Sequence, residues 1–220
     1  MGYVITTLTA TASNTGGLSG SKAVSTTVKN TDNDSAGITS AQTGTTDGSG
    51  NLLTTETGDS STFTVVLDAK PTASVTVALT GDDDSEHALS ASLLTFTADN
   101  WDTPQTITVT GVDDDVVDGD SIITLTATAD DTGGYDGSEE ASTTVITTDN
   151  ETAGITIGGN GSKDDSGNLL TSEGGGSSIF TVELDAQPTA NVTVTLSGDD
   201  DSEHWLSHSE LTFTADNWDT

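Results

Sequence analysis

The 220-residue sequence contains no cysteine and no arginine, and four lysines stand against 36 acidic side chains. Without cysteine the chain forms no disulfide and carries no thiol chemistry. The formal net charge of −32 makes nucleic acid and anionic lipid unfavourable partners, because like charges repel. No apolar run of about 18 residues is present, so no membrane insertion is expected. The N-terminus lacks the basic-then-apolar pattern of a signal peptide, which favours an internal piece of a longer protein.

An internal repeat argues against the disorder that 31% hydrophobic residues and a high net charge would otherwise predict. Residues 63–103 return as residues 180–220, an offset of 117 positions. Between residues 36–103 and residues 153–220, 49 of 68 positions are identical. A period of this length corresponds to one whole domain per repeat.

The phase of the repeat divides the chain into three parts. Residues 36–152 form one complete unit, residues 1–35 match the end of a unit, and residues 153–220 match the beginning of another. The chain is therefore expected to be a window of a longer tandem array. The alternative is a filament in which the two partial units of neighbouring subunits complete each other. Together they supply 103 of 117 repeat positions and lack the predicted strand and acidic block that follow residue 103.

Within the complete unit, apolar residues alternate with other residues at a period of two, for example at Phe63, Val65 and Leu67. Threonine fills 44 of the 220 positions and, being β-branched, suits the outward face of a strand. Turn residues separate further segments of this kind, at residues 75–79, 94–96, 106–110, 123–127 and 143–147. Many short strands without a helical stripe predict an all-β fold of tandem antiparallel β-sandwiches, one per repeat.

Acidic residues gather in blocks between the predicted strands. The densest block, residues 113–120, contains five aspartates, and another lies at the repeat junction in residues 149–151. Clustered carboxylates raise each other's pKa unless a cation lies between them. Calcium takes roughly six to eight oxygen ligands in irregular geometry, so these loops predict a calcium site, whereas lone turn aspartates are typically solvated. The run at residues 82–84 is left open between a further site and a solvated turn.

Four motifs follow one another in the complete unit. Glu56 precedes the strand FTVVL, Glu86 lies in Ser-Glu-His before LLTFT, a strand runs on as ITVTGVDDDVVD, and residues 143–151 read TTVITTDNE. In this order they resemble the Calx-β domains of sodium-calcium exchangers, integrin β4 and many bacterial surface proteins. The resemblance implies a seven-stranded Greek-key sandwich with calcium held by loops at one end.

The same resemblance implies a set of calcium ligands. In the complete unit they are Glu56, Glu86, Asp113, Asp114, Asp115, Asp118, Asp149, Asn150 and Glu151, with the backbone carbonyl of Val116. The repeat adds their equivalents Asp32, Asn33, Asp34 and Glu173. Glu86 stands where the family usually has aspartate and Asn150 is neutral, so fewer or weaker ions are expected than in the calcium-sensing exchangers.

Histidines and tryptophans offer no catalytic arrangement that recurs with the repeat, and no enzyme activity is predicted. His87 is interpreted as a surface or turn histidine in preference to a transition-metal ligand. Trp101 and Trp218 share the motif ADNWDT and are expected to cover the ends of the sandwiches in preference to stacking on sugars.

Two hypotheses for the function remain. The first is a calcium-stiffened structural repeat of a long extracellular adhesin or surface filament, bacterial in origin, whose partners are neighbouring repeats. Calcium at the domain junctions would fix the hinges, and extracellular modules bind it at about 10⁻⁴–10⁻³ M. The second is a repeat that binds a host or cell-surface glycan or protein through outward threonines and tryptophans.

Overall fold

The computed structural model describes residues 3–12, 22–198 and 202–220, and every regular element in these ranges is a β-strand. In the same ranges, no helix is found that is long and apolar enough to span a bilayer. The strands in chain order are β1 Tyr3–Ala12, β2 Lys22–Thr31, β3 Ile38–Gln42, β4 Leu52–Thr55, β5 Ser60–Leu67, β6 Val75–Thr80, β7 His87–Leu89, β8 Leu93–Phe96, β9 Gln105–Gly111, β10 Ser121–Ala129, β11 Glu140–Thr148, β12 Ile155–Gly159, β13 Phe180–Leu184, β14 Val192–Thr195 and β15 Glu210–Phe213.

β3 to β11 form a two-sheet sandwich in the complete unit. One sheet has the order β4-β11-β10-β6-β8 and the other has the order β3-β5-β9-β7. The pairs are antiparallel except β4 with β11, which run parallel. The chain alternates between the sheets from β3 to β10, so most neighbours within a sheet are not consecutive in sequence. The predicted β-sandwich is confirmed, with nine strands instead of seven, because short segments such as β4 and β7 also pair.

Alternating burial along the strands builds the core between the two sheets. In β5, Phe63, Val65 and Leu67 are buried, whereas the residues between them are half-buried. β8 adds Phe96, which is fully buried. Tyr135 closes the end of the core away from the acidic loops, because its hydroxyl donates to the carbonyl of Ala69 at 2.9 Å. The period-two pattern of the sequence is therefore the pattern of burial.

The two partial units contain strand pairs equivalent to those of the complete unit, but they bury fewer apolar side chains. β1 and β2 pair from Tyr3↔Thr31 to Ala12↔Lys22, which is the register of β10 with β11 shifted by the 117-residue repeat. In residues 153–220, β12 pairs with β13 and β14 pairs with β15. Their buried cluster consists of Val182, Leu184 and Phe213.

Leu125 and Leu8 occupy equivalent positions of the repeat, but Leu125 is buried and Leu8 is exposed. Substituting alanine at each position therefore tests the packing. Leu125 is 1% exposed in β10, and Leu8 is 55% exposed in β1. We expect Leu125→Ala to lower the free energy of unfolding by about 2–4 kcal/mol through lost packing. Leu8→Ala should change it by less than about 0.5 kcal/mol, because little packing is lost. Urea unfolding of the dilute protein measures both, and equal effects would contradict the packing described.

Candidate metal centre

The parallel pairing of β4 and β11 brings two acid-bearing segments together. The two strands end side by side at Thr55↔Thr148. Glu56 and residues 149–151 therefore leave the sheet at the same edge. The Glu56 N–H donates to the Thr148 carbonyl at 3.2 Å, which extends the pairing one residue beyond β4.

The antiparallel pairing of β7 and β9 delivers the other two acid-bearing segments. The start of β7 lies beside the end of β9 at His87↔Gly111. Glu86 precedes this pair, and its carbonyl accepts a hydrogen bond from the Val112 N–H at 2.9 Å. A Cβ added at Gly111 would clash with the Thr55 carbonyl oxygen. Only glycine lets β9 pass this close to the end of β4, so all four segments meet at one end of the sandwich.

Five carboxylates from these segments form two three-acid groups that share Asp114. The first group is Glu56, Asp114 and Glu151, and the second is Glu86, Asp114 and Asp118. Within each group, one oxygen from every carboxylate lies within 4.8 Å of the chosen oxygens of the other two. This spacing suits a cation held between three carboxylates, and Asp114 links the two groups.

Several of these oxygens are buried without a hydrogen-bond donor. Glu56 is 2% exposed, and its Oε2 accepts a bond from the Asn150 N–H at 3.2 Å. Glu86 Oε2 and Glu151 Oε2 are buried and have no hydrogen-bond partner within the described ranges. A buried charged oxygen without a partner costs free energy, so these oxygens require a proton or a cation.

Burial and mutual repulsion make the same acids hold their protons more tightly than free carboxyls. Burial, followed by the contacts with Glu56 and Asp149, raises the pKa of Glu151 to about 7. Burial is the main cause that raises the pKa of Glu56. It also raises the pKa of Glu86, together with the charges of neighbouring aspartates. A positive charge therefore stabilises the acidic centre. At low pH a proton can supply it, and at higher pH a cation can.

Asp149 differs from the other acids because backbone N–H groups occupy its oxygens. Its Oδ1 accepts from the Glu151 N–H at 2.8 Å, and its Oδ2 accepts from the Gly119 N–H at 2.7 Å. Hydrogen bonds from these two backbone groups lower the pKa of Asp149. The Asp149 N–H donates to Asp120 Oδ1 at 3.2 Å. The family motifs did not select Asp120, although it is the last aspartate of the densest acidic block.

The remaining predicted ligands of the complete unit lie at the rim of the two groups. The side-chain amide of Asn150 donates to the carboxylate of Glu151. The Val116 N–H donates to Asp114 Oδ1 at 2.7 Å, which fixes the shared carboxylate. Asp113 and Asp115 are exposed, and neither belongs to a three-acid group among the described residues.

The loop that supplies the shared carboxylate also contacts the following unit. The Gln187 N–H donates to the carbonyl of Asp115 at 2.7 Å, and Val116 forms a parallel bridge with Gln187. Val117 lines a cavity together with Leu184 of the following unit. Any change in the order of this loop therefore acts on the junction between the units.

The predicted ligands of the partial units lie outside the two three-acid groups. Asp32, Asn33 and Asp34 are exposed after β2, and the Asp34 N–H donates to Asp32 Oδ1 at 3.1 Å. Glu173 is exposed before β13. None of these four residues belongs to a three-acid group in the described part of the chain. The repeat positions that would supply their partners fall outside residues 1–220, so their role as ligands stays a prediction.

The structure corrects the interpretation of His87, which is fully buried at the start of β7 and not on the surface. Its Nε2 lies 2.8 Å from Asp82 Oδ1. The neighbouring Asp83 accepts bonds from the N–H and the hydroxyl of Ser85 at 3.2 and 2.6 Å. Residues 82–84 therefore form a hydrogen-bonded turn tied to a buried histidine, and no three-acid group among the described residues includes them. The copy of this turn, residues 199–201, lies outside the described residues.

Trp101 and Trp218 pack against the cores of their units. Their carbonyls accept bonds from the N–H groups of Leu67 at 3.2 Å and Leu184 at 2.8 Å. Both tryptophans thus have the structural position expected from the sequence. Trp205, in contrast, is 76% exposed.

Comparison with known proteins gives distant matches among solved structures. No family model matches the chain, and no curated protein matches it. Among solved structures, the E. coli chaperone DraB is similar at 7% identity and TM-score 0.33, over 56% of this chain and 59% of that one. The apo form of the Calx CBD1 domain matches at 18% identity and TM-score 0.32, over 51% and 97%. The calcium-binding domain CBD12 of CALX1.1 matches at 14% identity and TM-score 0.33, over 68% and 80%. These identities and TM-scores are too low to support a fold assignment. The β-sandwich class is therefore assigned from the strand order of the two sheets.

We expect the metal-free protein to lose stability as the pH rises from about 4.5 to about 7, the interval between the ordinary pKa of a glutamate side chain and the raised pKa of Glu151. In this interval the folded state binds more protons than the unfolded chain, so raising the pH favours unfolding. Acids with lowered pKa, such as Asp149, are already ionised there. Melting temperatures in chelator across this range measure the effect.

Glu151→Gln provides the control for this pH dependence, because it keeps the shape of the side chain and removes the group with the largest shift. The variant should show a flatter profile than the unsubstituted chain between the same pH values. A melting temperature that rises through this interval in chelator would contradict the raised pKa values.

Proposed function

We propose that the complete unit is a calcium-binding structural repeat, in which the metal centre stiffens the junction with the following unit. The observation that carries this proposal is the pair of three-acid groups sharing Asp114, with buried oxygens of Glu86 and Glu151 that have no donor among the described residues. Calcium would supply the positive charge that these oxygens lack. Glu56 and Asp118 complete the two groups.

The donor set favours calcium over other biological cations. Every member of the two groups offers carboxylate oxygen, the ligand of a hard cation, and none offers nitrogen or sulfur. The nearby His87 is buried, and its Nε2 is committed to Asp82. Calcium tolerates irregular geometry, whereas magnesium requires a near-ideal octahedron. The proposed ligands at the rim are Asp113, Asp115, Asp149, Asn150 and the carbonyl of Val116.

The position of the centre connects ion binding to the shape of the chain. The shared carboxylate lies on the loop whose Asp115 carbonyl and Val116 contact Gln187 of the next unit. Glu151 also lies four residues before β12, the first strand of that unit. An ion that orders the loop and Glu151 together would restrict the hinge from both sides, whereas unneutralised acids would repel and loosen it.

A tandem array of such units suits a long extracellular adhesin or surface filament. Extracellular calcium modules bind at about 10⁻⁴–10⁻³ M, a range that millimolar calcium outside cells fills and cytosolic calcium does not. The partners in this proposal are neighbouring repeats, and the location is the cell surface. The exposed Trp205 favours a second candidate function, in which the repeat also contacts a glycan or protein on another surface.

Calcium should raise the melting temperature of the chelator-treated chain, because an ion that binds only the folded state stabilises it. The midpoint of the rise should correspond to a Kd of about 10⁻⁴–10⁻³ M. Asp114→Asn should remove this rise, since Asp114 belongs to both groups. Asp84→Asn makes the same charge change at an exposed position outside the groups and should keep the rise. Equal responses of the two variants would contradict the site.

Stiffening is tested separately by small-angle scattering of the whole chain in calcium and in chelator. We expect a narrower distribution of dimensions in calcium, because the ion fixes the loop that contacts Gln187. Asp114→Asn should give the chelator profile in both buffers. Identical profiles of the unsubstituted chain with and without calcium would contradict the mechanical role, even where the melting temperature shows binding.

A further inference from the structure

A buried histidine lies directly after Glu86, one of the proposed calcium ligands. His87 is 0% exposed, and its Nε2 lies 2.8 Å from Asp82 Oδ1. The Asp83 N–H lies 3.4 Å from the same nitrogen. The contact with Asp82 is the shorter and reaches a carboxylate, so Nε2 is assigned as the donor to this side chain. The other ring nitrogen, Nδ1, is buried and has no hydrogen-bond partner in the described part of the chain, so the orientation of the ring depends on Nε2.

The same pair of residues closes the turn that leads into β7. The N–H groups of Glu86 and His87 both donate to the Asp83 carbonyl, at 3.1 and 3.0 Å. Asp82 immediately precedes Asp83, and its side chain reaches the imidazole ring at the end of the turn. The turn is thus held by backbone hydrogen bonds within it and by the contact of Asp82 with His87 across its two ends.

This turn determines where Glu86 places its carboxylate. The Glu86 N–H is bonded to Asp83 within the turn, and the Glu86 carbonyl accepts from the Val112 N–H at 2.9 Å. The side-chain oxygen Oε2 of Glu86 is buried and has no donor within the described ranges. Because no hydrogen bond holds this oxygen, its position relative to the other carboxylates depends on the backbone of the turn.

We propose that Asp82 and His87 are positioning residues of the metal centre, which hold the turn so that Glu86 reaches the other acids of its group. That group also contains Asp114 and Asp118. The inference rests on the calcium function proposed above and adds a determinant of the calcium affinity. Neither positioning residue is a ligand in this proposal, because Asp82 Oδ1 is bonded to the ring and no three-acid group among the described residues includes either of them.

The expected effect concerns one of the two three-acid groups. Glu56 and Glu151 of the first group follow β4 and β11 and lie outside the turn. Loss of an outer partner that orients a metal ligand lowers metal affinity by about 10–100-fold. His87 acts on Glu86 through the backbone, so we expect a loss of about tenfold, the low end of this range, and only while Glu86 is a ligand.

Calorimetric titration of calcium into the metal-free whole chain tests the proposal. Asp82→Ala removes the acceptor of the ring and should weaken calcium binding about tenfold. Asp82→Asn removes the charge but keeps a side-chain oxygen that accepts from Nε2, so it should retain most of the affinity. Asp84→Ala makes the same truncation and charge change at an exposed position of the same turn and should stay within about twofold of the unsubstituted chain.

The same comparison in a Glu86→Gln background separates positioning from a general effect of charge or stability. If Asp82 acts through Glu86, Asp82→Ala should weaken the remaining calcium binding of the Glu86→Gln chain by less than about twofold. An equal loss in both backgrounds would overturn the proposal, as would equal affinities of Asp82→Ala and Asp84→Ala. Asp82→Ser, whose side chain is shorter than that of aspartate, takes the place of Asp82→Ala if the alanine variant does not fold.

Amide hydrogen exchange in chelator tests the same contact without calcium. Asp82→Ala should speed the exchange of the Glu86 and His87 N–H groups, which donate to the Asp83 carbonyl, whereas Asp84→Ala should leave both rates within about twofold. Unchanged rates in Asp82→Ala would overturn the positioning role. A chain that binds calcium but responds equally to the two alanines contradicts this inference alone, whereas an unsubstituted chain that binds no calcium contradicts the proposed function and this inference with it.

Discussion

β4 and β11 run parallel, and the first three-acid group exists because of that pairing. Parallel strands in register leave a sheet at the same edge, so the residues after Thr55 and after Thr148 meet. An antiparallel β4 of four residues would place Glu56 at the other end of the contact, about 13 Å from Glu151. Gly111 then brings β9 against the end of β4, which allows the loop carrying Asp114 to join both groups.

This convergence has an electrostatic cost that the protein alone does not remove. Glu56 and Glu151 meet where solvent is largely excluded, and both pKa values rise chiefly because burial penalises the ionised form of each carboxyl group. The backbone N–H groups of this region stabilise Asp149 and leave the buried oxygens of Glu86 and Glu151 without donors. One end of the sandwich therefore needs a proton or a cation from the solution to balance its carboxylates. The same end contacts the next unit.

The sequence was sufficient to predict six of the nine strands of the complete unit, since apolar alternation directly reflects burial at positions such as Phe63 and Val65. The pattern did not predict the short strands β3, β4 and β7. The sequence also indicated which loops carry the acids. It did not distinguish Asp114, which links two groups, from the exposed Asp113 and Asp115, because that difference arises from the path of a loop between strands. His87 was misinterpreted for a related reason: its burial depends on how the chain folds around it, including the turn that places Asp82 Oδ1 at 2.8 Å from its Nε2.

The repeat shows which features of a hairpin depend on its own sequence and which depend on the neighbouring strands. Leu8 and Leu125 occupy the same repeat position in hairpins of the same register, and one is exposed while the other is buried. Local sequence is thus enough to form the hairpin, whereas burial requires β6 and the facing sheet. In a chain with 31% hydrophobic residues, few apolar side chains are available for each core. Burial of a core in this fold therefore depends on the whole set of strands of a unit.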